Sequence, residues 1–241
     1  MSLKQLKSKY AGSQLGIWWA VFTPLLLAAS INFVFTRVFN ITIPNYSLFV
    51  LAGIIPWFFT TNALSEATNS FSVNKAVLKQ GIFPREFIPL SSVMANFLNF
   101  LVGLVFLLPI FVVLNPRTVN LLPLLLLVIV VHFIFILSLG LLFAIVNIHF
   151  RDLSHFLTTA FMVWFWVTPV FYSLEMLNFP YRWICLVNPM TYFVILYQDI
   201  LCNARIPNLN TFIIALTISI ATSLFTYSLF IRSESSLLKK I

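Results

Sequence analysis

Charge is what this chain of 241 residues has least of: Asp, Glu, Lys and Arg together make up 8%. A water-soluble domain of that length needs a polar surface, and the side chains to build one are missing. Glycine is nearly as scarce, with 6 residues, and no G-x-x-x-x-G-K-[ST] stretch occurs. That excludes ATP hydrolysis through a phosphate loop. With only Cys185 and Cys202, the chain has no disulfide framework, although one bridge between them is chemically allowed. His132, His149 and His155 share no short ligand spacing, so no metal set is expected.

What the chain does have is apolar length. Hydrophobic residues reach 61%, with Phe alone at 27. Crossing about 30 Å of hydrocarbon takes roughly 20 apolar residues as a helix. Uncharged runs of that order separate Lys9 from Arg37, Arg37 from Glu66, Glu86 from Arg117, Arg117 from Arg151, Asp152 from Glu175, and Arg205 from Arg232. They are too long and continuous for the strands of a barrel. The expected fold class is therefore an all-α integral membrane protein, one transmembrane domain over 1–241. Its six spans are expected near 17–38, 46–70, 89–114, 121–147, 156–174 and 209–231.

The net charge of +8 does not indicate nucleic-acid binding, because basic residues gather at span ends in twos and threes. Lys4, Lys7, Lys9, Lys75, Lys79, Arg85, Arg151, Arg232, Lys239 and Lys240 fall on one side of the bilayer. Arg37, Arg117, Arg182 and Arg205 fall on the other. The positive-inside rule then puts both termini in the cytoplasm. A cleaved signal peptide is not expected, since the first apolar run is about twice the usual length.

Several segments between spans carry their own signals. Residues 1–16 read either as a basic amphipathic helix on the inner leaflet, with Leu3, Leu6 and Tyr10 on one stripe, or as a basic leader that sets topology. Residues 71–88 form the longest cytoplasmic connection, and Pro84 followed by Glu86 suits the opening turn of a helix. Asp152 is placed to cap the helix that becomes span five. In 175–208, Arg182 and Asp199 bracket an apolar stretch that Asn188-Pro189 interrupts, so each half is too short to cross alone. A re-entrant helical hairpin on the outer side is expected, with a plain hydrophobic loop as the other reading.

Chemistry-bearing residues inside the spans are few. His132 is expected to pack through hydrogen bonds rather than relay protons, and Glu66 to sit at the boundary in headgroup water. Glu66, Asp152 and His155 are isolated from one another in sequence, which argues against a membrane-embedded glycosyl- or acyltransferase. The Gly12/Gly16 spacing is a weak helix-pairing signal because it precedes the apolar span. Aromatics are more telling. Trp18, Trp57, Phe58, Phe59, Trp164, Trp166 and Tyr172 offer ring faces that can stack on sugars and tolerate sliding, so they are candidates for a translocation path.

A series of short stretches, in order along nearly the whole chain, carries a family likeness. They are Lys9-Tyr10 with Ser13 and Leu15-Gly16 before Trp18 and Pro24; Gly53 with Trp57-Phe58-Phe59; Asn74 and Phe83-Pro84-Arg85-Glu86; Asn147 with Phe150-Arg151-Asp152; Thr168-Pro169-Val170 and Tyr172; and Asn188-Pro189-Met190-Thr191. In these the chain resembles the permease subunit of bacterial polysaccharide ABC exporters, which move lipid-linked O-antigen, teichoic acid or capsule chains.

That resemblance implies a homodimer in the bacterial inner membrane, paired with two copies of a separate ATPase subunit. ATP and Mg would be bound by the partner and no cofactor by this chain. It implies an ATPase-coupling set of Lys4, Lys7, Lys75, Lys79, Arg85, Glu86, Arg151 and Asp152, and a periplasmic gate at Asn188, Pro189, Met190 and Tyr192. Two features depart from the family pattern: a short N-terminus, and Gln198 where arginine is usual. The implied activity is export of lipid-linked polysaccharide. The alternative is a permease of the same fold for small hydrophobic drugs or lipids.

Overall fold

The computed structural model describes residues 2, 5, 9, 12–39, 43–74, 86–150 and 152–240, with side chains described as far as 232. Among them there is helix and no strand. Eight helices carry the fold: α1 (Trp19–Phe33), α2 (Tyr46–Val73), α3 (Phe87–Leu114), α4 (Leu122–His149), α5 (Leu153–Val167), α6 (Tyr181–Val187), α7 (Pro189–Leu201) and α8 (Leu209–Lys240). A 3-10 turn at Gly16–Trp18 and a π turn at Val34–Val38 extend α1 at its two ends. Five of these helical stretches are long and apolar enough to cross a membrane: 16–38, 46–73, 87–114, 116–149 and 209–232. The chain is a multi-pass membrane protein.

The helix α2 is the axis of the bundle. Val50, Ala52, Ile54, Ala63, Leu64 and Ala67 are wholly buried along it, and α1, α3, α4, α5 and α7 all pack against it. By contrast α1 and α8 turn most of their apolar length outward, as helices do when lipid is the solvent. Small residues allow the closest crossings. A Cβ on Gly140 would stand 2.9 Å from Val93 and 3.1 Å from Ala67, so α2, α3 and α4 meet there with no room to spare. Pro24, Pro56 and Pro109 lie inside α1, α2 and α3 without ending them. Bundle helices tolerate this because neighbours satisfy the freed backbone.

The fifth apolar stretch departs from expectation. In place of one helix over 156–174, the helix starts at Leu153 and stops at Val167 after 15 residues. Thr168 takes an extended conformation (φ −90°, ψ 132°). Pro169 is the cause, because its ring disfavours the helical region for the residue before it. Asp152 stands just before α5 but in helical geometry, and its carboxylate makes no capping bond. The two glycines of the G-x-x-x-G spacing also have another use: both adopt positive φ (83° and 51°) in the turn leading to α1.

Downstream, α6 and α7 form one bent pair, turning through 91° at Asn188. The break follows from local chemistry. Asn188 is extended, its side-chain oxygen accepts from Met190 N (3.0 Å), and Pro189 occupies the first position of α7. This is a capped helix start in the middle of an apolar run.

Candidate functional site

Residues from four helices, α2, α5, α6 and α7, converge at the Asn188 end of the bundle. The Asn188 side chain uses both its atoms across the break: its Oδ1 accepts from Trp164 Nε1 (2.7 Å) and its Nδ2 donates to Thr168 Oγ1 (2.8 Å). One side chain thereby ties the end of α5 to the start of α7. The non-helical backbone after α5 leaves a row of carbonyls that lipid could not satisfy. Thr168 O takes the Val170 N–H (2.7 Å), and the carbonyls around it find side-chain donors. Tyr172 OH donates to Trp166 O (3.1 Å) and Cys185 Sγ to Val167 O (3.4 Å). Gln198 Nε2 reaches both Pro169 O (3.1 Å) and Val170 O (3.3 Å), and Tyr46 OH donates to Phe171 O (2.7 Å).

The α6–α7 corner is bolted in the same way, with Thr191 Oγ1 donating to Cys185 O (2.6 Å) and Tyr192 OH to Leu186 O (2.7 Å). Cys185 and Cys202 are both buried and free. Gly53 permits the segment to lie against α2, since a Cβ there would sit 3.1 Å from Val170 O and 3.2 Å from Gln198 Nε2. Gln198 is thus a buried donor to the broken backbone, a duty that sequence pattern alone did not indicate. Beyond it, Asp199 is buried and takes Arg205 Nε (2.8 Å) and Asn203 Nδ2 (3.1 Å) on one carboxylate oxygen.

Deeper in the bundle a second polar group joins α2, α4 and α7. His132 is fully buried, with Nε2 3.0 Å from Thr60 Oγ1 and Nδ1 3.4 Å from Tyr197 OH. Its ring stacks on Phe193 at 4.7 Å and meets Phe59 edge-on at 5.2 Å. The histidine is enclosed by packed rings, the arrangement of a cross-helix tie.

The candidate path aromatics do not form one cluster within the chain. Trp57 is buried against Trp164 (5.6 Å, edge-on) and Phe165, and Phe59 is buried with Phe97 and Phe100. Trp18 and Trp166 are exposed, the first against Phe106 and the second against Phe171. Phe58 lines a cleft between α1, α2 and α3. Met190 is wholly buried at the start of α7.

At the opposite, Glu86 end, Glu66 is held rather than loose. Lys9 Nζ approaches Glu66 Oε1 (2.7 Å) and donates to Asn96 Oδ1 (2.9 Å), while Asn96 Nδ2 donates to Glu66 Oε2 (2.6 Å). This clasp fastens the N-terminal segment to α2 and α3. Glu86 lies immediately before α3, where a carboxylate complements the helix dipole. Lys4, Lys7, Lys75, Lys79, Arg85 and Arg151 lie outside the described residues, as does most of the expected N-terminal interface helix. Among the described residues no cluster of three His, Cys, Asp or Glu could hold a metal ion.

Comparison with known proteins gives one consistent answer. The profile of a family described as "ABC-2 type transporter" matches residues 1–202. The chain is 32% identical over 208 residues to a Klebsiella pneumoniae protein named "O-antigen export system permease protein RfbA", covering 84% of this chain and 79% of that one. A second Klebsiella pneumoniae protein of that name is 31% identical over 201 residues, covering 83% and 78%. One from Myxococcus xanthus is 30% identical over 214 residues, covering 85% and 80%.

Proposed function

This chain belongs to the ABC-2 type transporter family, and from that premise we propose that it is the transmembrane subunit of an ATP-driven exporter of lipid-linked, O-antigen-like polysaccharide. The observation that carries the reading is the likeness to O-antigen export permeases over more than four-fifths of the chain. In this reading two copies sit in the bacterial inner membrane with both termini cytoplasmic. Two separate ATPase subunits bind ATP and Mg, which accords with the missing phosphate loop.

The clasped N-terminal segment, the 71–88 connection and the Phe150-Arg151-Asp152 turn face the ATPase; Arg85, Glu86, Arg151 and Asp152 are the residues through which closure of the motor is felt. The bent α6–α7 pair dips into the outer leaflet and acts as the gate. Glycan passes between the α1 and α5 faces of the two copies, where exposed Trp18 and Trp166 offer ring faces. For ATP to drive the cycle, the two nucleotide states must interact with the permease with different energies.

The test is complementation of a host lacking its own O-antigen permease. The wild-type chain with its ATPase should restore surface glycan, and Arg85→Ala or Arg151→Ala should abolish export while the protein remains inserted. Normal export and ATPase coupling in both variants would remove the assigned interface. Restored drug resistance with no glycan at the surface would replace the cargo with a small hydrophobic molecule.

A further inference from the structure

We propose that α2 is a strut that carries the motor's stroke to the outer gate, taking it in through Asn147 and delivering it through Tyr46. The inference deepens the export reading and rests on it. At the Glu86 end, Asn147 Nδ2 donates to Thr68 O (2.9 Å). Asn147 lies three residues before Phe150 and the turn into α5, and Thr68 lies five before the end of α2, where the long cytoplasmic connection leaves. One side chain therefore yokes the two connections assigned to the motor.

Packing does not explain an asparagine there. Its side chain is buried, and among the described residues nothing donates to its Oδ1. A buried amide with an unused acceptor carries a free-energy cost that a leucine of similar bulk would not. The one thing the amide adds over leucine is its bond to α2.

Between its ends α2 has little freedom. Val50, Ala52, Ile54, Ala63, Leu64 and Ala67 have no exposed surface, and close-packed interiors shift as units instead of deforming smoothly. The weak point of the shaft is Pro56, which cannot donate to the helix ladder. There Thr60 Oγ1 lies 2.9 Å from Pro56 O, 3.0 Å from His132 Nε2 and 3.5 Å from Met190 Sδ. The buried histidine braces α2 beside its proline, and the methionine ties the same point to the first turn of α7.

At the far end Tyr46 OH donates to Phe171 O (2.7 Å), and a Cβ on Gly53 would stand 3.1 Å from Val170 O. The helix thus bears on the broken backbone before the gate at two points. A rival route runs through α5, which joins the motor turn to Thr168 directly. The buried residues of α5 are Leu157 and Phe161, so little holds it in line.

The test uses the permease–ATPase complex in nanodiscs and reads the gate through Cys185, a buried free thiol at the α6–α7 corner. ATP should speed maleimide labelling of Cys185, followed by mass spectrometry, at least tenfold over the nucleotide-free complex. Asn147→Leu and Tyr46→Phe should each cut that acceleration threefold or more while ATP hydrolysis continues. The unfolding midpoint of Asn147→Leu should not fall, because the orphaned acceptor leaves with the bond. Thr68 and Tyr46 are separated by roughly 33 Å of helix, and losses at sites so far apart multiply when the sites are independent. In series they do not, so the double variant should lose no more than the larger single loss.

Multiplied losses in the double variant, wild-type labelling that ignores ATP, or a lowered midpoint or lost hydrolysis in Asn147→Leu would each overturn the strut. Full acceleration in either single variant would overturn it too and give the stroke to α5. The complementation assay run beside it separates the two readings. Any of those results with surface glycan restored by the wild-type chain removes the strut alone. A wild-type chain that restores no glycan removes the export reading instead.

Discussion

Replacing Asn188 by alanine should loosen the whole Asn188 end of the bundle. The side chain caps α7 through Met190 N, accepts the Trp164 indole N–H and donates to Thr168 Oγ1. Loss of a helix N-cap costs about 1 kcal/mol. Hydrogen bonds between helices in a bilayer average about 0.6 kcal/mol each, so the two lateral bonds add about 1.2. The sum, about 2 kcal/mol, is roughly a thirtyfold shift in the unfolding equilibrium. Reversible unfolding of the purified chain in bicelles by a steric trap would measure it. Trp164→Phe removes the indole N–H together with part of the ring packed on Trp57, and a double-mutant cycle with Asn188→Ala, in which that packing loss cancels, should return a coupling between about 0.5 and 1.7 kcal/mol. A single-mutant loss below about 0.5 kcal/mol, or a coupling of zero, would show that the bend is held by something other than these bonds.

Three further outcomes follow from the packing. Gly140→Ala should destabilise the bundle by about 1–3 kcal/mol through overpacking against Val93, and Val93→Ala in the same chain should recover most of it; absence of rescue would relocate the crossing. Lys9→Met should cost less than about 1 kcal/mol, because the ion pair is 32% and 43% exposed and screened by solvent; a loss above about 3 would contradict that exposure. Burial pushes the Cys202 thiol up to about 11. Its alkylation in the folded chain should therefore be slow at neutral pH and rise about tenfold per pH unit toward that value, because the thiolate is the reacting form. Mass spectrometry of maleimide adducts reads this directly, and fast labelling of Cys202 at pH 7 would refute its burial.

Helix type was legible in the composition, because a chain with so little charge has only helices or closed barrels open to it, and the apolar runs are too long for strands. The bend at Asn188 was legible too, since Asn-Pro inside an apolar stretch is local chemistry that no packing needs to supply. Two other features were not. The early end of α5 turns on one residue's conformation, Thr168 before Pro169, within a run whose hydropathy continues unbroken to Tyr172. Gln198, Tyr46 and Cys185 serve carbonyls that are 28, 125 and 18 residues away. Nothing in the residues themselves announces such partners, because the need for donors arises only once the backbone is broken. Charge pattern puts Glu66 near a span boundary, but the clasp of Lys9, Glu66 and Asn96 joins residues 30 to 87 positions apart, a pairing that only the packed helices create. The aromatics shared a residue type and not a location, so spacing could not sort the buried Trp57 and Phe59 from the exposed Trp18 and Trp166.

The shortness of α5 has a consequence for the lipid around it. Fifteen residues span about 22 Å, while the surrounding hydrocarbon is about 30 Å deep. The knotted carbonyls after Val167 fix where the helix ends, so it cannot lengthen to close the gap. A span this short is accommodated by thinning of the bilayer beside it, by flanking side chains reaching outward, or by association with another copy. A bilayer thinned along the α5 face would present a lower barrier to a hydrophilic chain than hydrocarbon of full depth.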